Sequence, residues 1–206
     1  MAYPTGTSMT QGYYERRLPH WQAEGAAIFL TWRLHGSLPK EVTFSTSTET
    51  SGQKFAEVDK ILAQGAVGLH WLEEDKIAQV VYDAVVYGQD QLHLYDLCAW
   101  VIMLNHLHLL INPQADLARI TQSIKGYTAR QADILLNRTG LPFWQQESYD
   151  RWVRERAGRE KVVRYIENNP VAAGLAETPD AWRWSSAWTG LEAYPTNTNA
   201  NTNPNI

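Results

Sequence analysis

Apolar and polar positions first fall into regular order between Ala26 and Leu34, where Ile28, Leu30 and Trp32 alternate with Phe29, Thr31 and Arg33. A period of two is the signature of a strand, and Gly36 to Pro39 ends it. A Ser/Thr-rich loop follows over residues 43–51. Phe55, Val58 and Leu62 are then spaced for a short helix closing near Gly65. Ile77, Val80, Val81, Ala84 and Val85 mark a stronger amphipathic helix. Glu73, Glu74 and Asp75 suit its positive N-terminal end, and Gly88 suits its C-terminal cap. The run Leu92 to Met103 is long enough for a central strand. Leu104-Asn105 makes a tight turn into Leu107, Leu109 and Ile111, a strand that Asn112-Pro113 closes. Strand, helix, strand, tight turn, strand is the opening of a ferredoxin-like α+β domain, an antiparallel sheet with helices on one face.

The second half continues the pattern with a helix from about Asp116, carried by Leu117, Ile120, Ile124 and Ile134. Extending that three-to-four spacing places Tyr127 and Gln131 on the same stripe. Gly126 costs this helix roughly 1 kcal/mol relative to Ala and allows an irregularity beside the phenol. Beyond Leu141-Pro142 the chain enters a basic run, Arg151-Trp152-Val153-Arg154-Glu155-Arg156, continued by Arg159, Lys161 and Arg164. Val162, Val163 and Ile166 bury one side of a helix there, and Asn169-Pro170 is expected to stop it. Trp182, Trp184 and Trp188 are expected to pack this segment back on the body. The Thr/Asn-rich tail from Pro195 has no apolar periodicity and reads as disordered.

Composition narrows the class. A chain of 206 residues that is 44% hydrophobic with nine Trp builds one domain of ordinary size, with or without extensions. No segment approaches the ~20 apolar residues of a membrane span. The single Cys98 excludes an intrachain disulfide and fits a reducing, cytoplasmic setting. A net charge of −4 argues against a general nucleic-acid coat, but not against a local basic groove.

The candidate chemistry sits on the Leu107 strand. His106 and His108 are two apart, so they face the same side and are able to hold one metal ion. Two partnered histidines on a half-polar face would read the same way. Tyr127 is either one more core aromatic or a phenol held against the histidine strand, with Lys125 and Arg130 flanking it. Arg16 and Arg17, among Tyr13, Tyr14 and Trp21, suit phosphate contacts and base stacking, or equally an arm packed on the surface. Arg151, Arg154 and Arg156 suit single-stranded or hairpin DNA, or form a solvated helix face balanced by Glu155 and Glu160.

Several strings, in order, carry a resemblance: Arg17-Leu18-Pro19-His20-Trp21, Trp32-Arg33-Leu34-His35-Gly36-Ser37-Leu38-Pro39 and His106-Leu107-His108. They continue with Ile124-Lys125-Gly126-Tyr127-Thr128-Ala129-Arg130, Phe143-Trp144-Gln145-Gln146-Glu147-Ser148-Tyr149-Asp150 and Tyr165-Ile166-Glu167-Asn168-Asn169-Pro170-Val171 through Leu175, ending at Trp184-Ser185-Ser186. From about Arg16 to Ser186 the chain resembles the REP-associated tyrosine transposases of bacteria, single-tyrosine members of the HUH class. The resemblance implies a Mg²⁺ or Mn²⁺ ion held by His106 and His108, with Gln131 as third ligand. It implies that Tyr127 attacks a scissile phosphate, leaving a covalent 5′-phosphotyrosine and a free 3′-OH. The implied partner is single-stranded or hairpin DNA, the repetitive extragenic palindromes, in a bacterial, nucleoid-associated setting.

Two positions depart from the family pattern: Leu104 stands where Pro is usual, and Asp133 where Asn is common. The resemblance divides the chain into a lead-in (1–12), a catalytic domain with a basic arm (13–142), a C-terminal DNA-binding extension (143–192) and a tail (193–206). Two rivals remain: a catalytically idle DNA- or RNA-binding protein on the same scaffold, and a phosphodiesterase in which water attacks. Oligomeric state is not encoded in any of these motifs.

Overall fold

The structure, a computed structural model, describes residues 26–38, 51–65 and 68–190. The basic arm with Arg16 and Arg17, residues 43–50 of the Ser/Thr-rich stretch, and the tail from 193 lie outside them.

The elements run β1 (Ala27–Arg33), α1 (Ser51–Gln64), α2 (Asp75–Asp90), β2 (Tyr95–Ile102), β3 (His106–Pro113), α3 (Leu117–Leu135), β4 (Tyr149–Val153) and α4 (Arg156–Ala172). The four strands form one sheet in the order β2-β3-β1-β4, with every neighbouring pair antiparallel. That is the ferredoxin-like order, as the strand–helix pattern implied. The expected turn at Leu104-Asn105 is closed by the Met103 amide donating to the His106 carbonyl at 2.8 Å.

Alternation along the strands divides the interior in two. Ile28, Leu30 and Trp32 of β1 and Leu107, Leu109 and Ile111 of β3 face one side, under Ile77, Val81 and Val85 of α2 and Ile120 and Ile124 of α3. Ala27 and Phe29 of β1, Ala99 and Val101 of β2 and Leu110 of β3 face the other, under Ile166 of α4 and Phe55 of α1. Helices therefore cover both faces, not one. A sheet this apolar on both sides needs two covers to keep water off it.

Four local expectations change. β2, read as central, lies at the edge of the ladder. The backbone of Trp184–Ser186 runs along its outer side, with Ile102 N–H donating to Trp184 O at 2.8 Å and Ser186 N–H to Trp100 O at 2.9 Å. Trp184 is buried there, as expected of the C-terminal tryptophans. β4 was hidden inside a basic run read as helix; its alternation pairs Val153 with Ala27, Arg151 with Phe29 and Tyr149 with Thr31. The boundary placed at residue 142 thus falls inside the sheet. Pro170 does not stop α4 but lies in its last turn. The stop is Gly174 at φ +72°, with Leu175 N–H bonded to Pro170 O and Gly174 N–H to Val171 O, a Schellman closure.

Gly88 is not a cap either. It lies within α2, and a Cβ there would come 2.5 Å from the Tyr95 hydroxyl. That hydroxyl is buried and donates to Val85 O at 2.6 Å, so it has no room to retreat. Gly88→Ala is expected to destabilise the protein by about 1–3 kcal/mol, despite the better helix propensity of Ala. A denaturant midpoint equal to or above the wild-type value would contradict this.

Candidate metal and nucleophile site

His106 and His108 project from β3 onto the face covered by α1 and α4, and both are fully buried. Asp59 of α1 meets them there. Its Oδ1 lies 3.1 Å from His108 Nε2 and 3.6 Å from His106 Nε2, and the three side chains form a group able to hold a metal ion.

The partners on the far side of each ring decide what faces Asp59. The Asn105 amide nitrogen donates to Leu62 O at 3.1 Å, which turns Asn105 Oδ1 toward His106 Nδ1 at 2.7 Å. An amide oxygen only accepts, so Nδ1 carries the proton and Nε2 presents a lone pair. Thr31, opposite His108 in the β1–β3 register, holds His108 Nδ1 at 2.7 Å and fixes the orientation of that ring. His106 Nε2 and Asp59 Oδ1 are thus two buried acceptors facing each other at 3.6 Å, and His106 Nε2 has no hydrogen-bond partner. Such a pair is costly unless a cation lies between them.

Electrostatics agree. Burial, with His108 beside it, pushes the His106 pKa down to about 3, against the opposing pull of Asp59. Burial alone would raise the Asp59 carboxyl. His108, His106 and the Tyr165 hydroxyl together outweigh it and hold the group below its ordinary range. His106 therefore stays neutral, the form a metal ligand needs.

This has a consequence for metal-free stability. The unfolded chain binds a proton at His106 near the ordinary pKa of 6.5, while the folded chain refuses it down to about 3. Within that window the unfolded state holds more protons, so stability is full above it and falls as pH drops, by roughly 1.4 kcal/mol per unit for one such group. Denaturant unfolding of the metal-free protein between pH 7 and pH 5 should show this slope, and His106→Gln should flatten it.

The phenol at this site is Tyr165. It lies on α4, its hydroxyl donates to Asp59 Oδ2, and its ring is 5.7 Å from that of His108. One turn on, Asn169 is buried, with Nδ2 3.3 Å from Asp59 Oδ2 and 3.4 Å from His108 Nε2. Its Oδ1 is buried without a partner. Turning that amide over presents the orphaned oxygen to the cluster as a fourth donor. Burial, then the Asp59 charge and its hydrogen bond, push the Tyr165 phenol well above its ordinary pKa.

Tyr127 and Gln131 are not brought to the histidines. The buried stripe of α3 is Ile120, Ile124, Thr128 and Ala132, a spacing of four, which turns Tyr127 outward to 45% exposure. Thr128 fills the place expected of the phenol. Its hydroxyl bonds back to Ile124 O at 2.7 Å and accepts Trp144 Nε1–H at 2.8 Å, so a polar residue satisfies itself in the core. Moreover, α3 packs on the Leu107/Leu109 face, and the sheet separates it from His106 and His108. α3 runs through Gly126 without a break.

The basic residues divide as well. Lys125 is engaged, its Nζ donating to Gln145 O at 2.6 Å, while Arg130 is exposed on the outer surface of α3. Arg151 is exposed on β4, paired with Phe29 and hence on the histidine face. Arg154 is exposed just before α4, and Arg156 pairs loosely with Glu160 at 3.3 Å. Asp133 forms a 3.2 Å ion pair with Arg138, so its charge is matched locally. Asp59 was missed because a lone acidic residue in a short helix carries no motif. Tyr165 and Asn169 had a signal, their four-residue spacing inside the string Tyr165 to Pro170.

A strand-borne histidine pair, an acid from a second element and a phenol with an amide one turn later thus meet at one buried site able to hold a metal ion. Residues 73–169 match the family model described as "Transposase IS200 like". The match contains His106, His108, Tyr165 and Asn169 and excludes Asp59. No curated protein matches the chain. Among solved structures it is similar to a REP-associated tyrosine transposase bound to a REP hairpin (17% identity, 83% of this chain and 82% of that one, TM-score 0.45). It is also similar to a candidate transposase from Deinococcus radiodurans (18% identity, 69% of this chain and 89% of that one, TM-score 0.40). No described helix is long and apolar enough to cross a membrane.

Proposed function

We propose that this protein is a transposase of the matched family that cleaves and rejoins single-stranded DNA, with Tyr165 as nucleophile and His106, His108, Asp59 and Asn169 holding a divalent cation. The observation that carries the reading is the contact of the Tyr165 hydroxyl with the carboxylate that also faces both imidazoles. Mg²⁺ and Mn²⁺ both suit the oxygen donors, and the two imidazole nitrogens favour Mn²⁺. An ion held by these residues would supply Lewis-acid charge and offset the negative charge around the phenol.

Asp59 keeps the phenol oxygen aimed at the cation-binding atoms. Asn105 keeps His106 in the ligating tautomer, Thr31 keeps the His108 ring in place, and Phe29 and Phe55 keep water from His108. The Tyr165 oxygen forms a bond to phosphorus as the bond to the 3′ oxygen breaks. The phenol gives up one proton and the departing 3′ oxygen takes one. The product is a 5′-phosphotyrosine and a 3′-OH, and attack by another 3′-OH reverses the step without ATP. By the resemblance of the sequence, the substrate is a palindromic repeat folded as a hairpin.

The test is incubation of the protein and Mn²⁺ with end-labelled hairpin and single-stranded oligonucleotides, followed by denaturing electrophoresis. A denaturation-resistant adduct, mapped to Tyr165 by peptide mass, is expected. Binding without adduct would identify an idle DNA-binding protein, and cleavage that survives Tyr165→Phe would identify a hydrolase.

A further inference from the structure

Beside Tyr165, α4 lines a groove of about 460 Å³. Lys161, Arg164 and Tyr165 form one end, and Asn168, Ala172 and Pro179 the other. The volume falls in the range of small-ligand sites. The polarity of its lining is graded. Two cations stand about one helical turn or less before the phenol, roughly 5.4 Å along the axis. The Asn168 and Asn169 amides, two small apolar surfaces and the Glu167 carboxylate, which accepts from the Ser186 hydroxyl at 3.1 Å, complete the lining. Lys161 and Arg164 are exposed, and among the described residues neither makes a hydrogen bond or ion pair. Asn168 is exposed as well, its amide free of partners among those residues.

We infer that this groove seats one unpaired nucleotide next to the cleaved bond, its phosphate on Lys161 and Arg164 and its base against Ala172 and Pro179, with the Asn168 amide reading the base edge. The inference rests on the functional reading above and adds to it where the strand lies and which residue selects it. A nucleotide has an anionic end and a flat, partly apolar end that hydrogen-bonds at its rim, and the groove presents the complementary order. An Asn side chain offers a donor and an acceptor together, the pattern that matches adenine best. A base seated in this way must be out of a duplex, as in single-strand recognition.

The experiment measures binding of a fluorescent single strand by anisotropy in the Tyr165→Phe protein with Mn²⁺, so that chemistry plays no part. Losing the contact to one phosphate of a single strand lowers the slope of log affinity against log salt by about 0.7. Lys161→Ala with Arg164→Ala is therefore expected to flatten the slope by that amount and to weaken binding equally for every base. Asn168→Ala is expected to leave the slope alone and to reduce discrimination at one flanking position by about tenfold. Arg119→Ala, exposed on α3 on the other side of the sheet, should change neither. An unchanged slope in the double variant, or an unchanged base preference in Asn168→Ala, overturns the assignment. If the wild-type protein forms the adduct while these variants bind normally, only the groove is wrong; if the wild-type protein binds no single strand, both readings fall.

Discussion

Tyr165→Phe is expected to lower formation of the covalent DNA adduct by more than about a thousandfold, while Tyr127→Phe forms it at the wild-type rate. The sheet decides between the two phenols. Tyr165 is 38% exposed on α4, close enough to the histidine cluster to bond Asp59 and open enough to meet a strand. Tyr127 stands on the outside of α3, beyond the Leu107/Leu109 layer, and reaching His106 would require α3 to leave Ile120, Ile124 and Ala132 uncovered. Exposing three buried side chains of that size costs several kcal/mol. Both substitutions remove only a hydroxyl, so binding of the oligonucleotide should survive in each and serve as the control for folding. Adduct formation by Tyr165→Phe, or its loss in Tyr127→Phe with binding intact, would reverse the assignment.

The second large effect concerns Asp59→Asn. The substitution keeps the shape of the side chain, and its amide oxygen still accepts from Tyr165. It also replaces an acceptor facing His106 Nε2 with an N–H donor. Without metal, a buried lone pair gains a partner, and the protein is expected to become more stable by roughly 1 kcal/mol. With metal, an anionic ligand is lost and an N–H points into the ion's place. Mn²⁺ affinity should fall at least about a hundredfold, the upper end of what losing a mere supporting hydrogen bond costs. The two readouts, denaturant midpoint without metal and Mn²⁺ titration, move in opposite directions. A structural salt bridge would instead lose stability and leave metal binding alone, and that outcome would remove Asp59 from the ligand set.

Periodicity made much of this architecture legible. A period of two put His106 and His108 on one face, and the alternation of β1, β2 and β3 with the helices between them defined the sheet class. The phase of α3 failed by one residue. Ile134, 69% exposed, was counted as core, and Thr128, fully buried, was not. Both errors have the same source: a helical stripe read by hydrophobicity cannot see a threonine that bonds its own backbone and a tryptophan. β4 escaped because an edge strand only five residues long, with Arg151 and Asp150 in it, looks like a solvated run until β1 lies beside it.

The candidate site divides in the same way. The local sequence dictates which side chains share a strand face or helical turn, because backbone geometry is short-ranged. On those grounds the His106/His108 pair and the Tyr165/Asn169 spacing were readable. Which face of the sheet each helix covers depends on long-range packing. Only the folded chain brought Asp59 of α1, forty-seven positions before His106, between the two rings and under the phenol of α4. No periodicity encodes that meeting, because two helices far apart in the chain approach one another through the apolar layer they jointly cover.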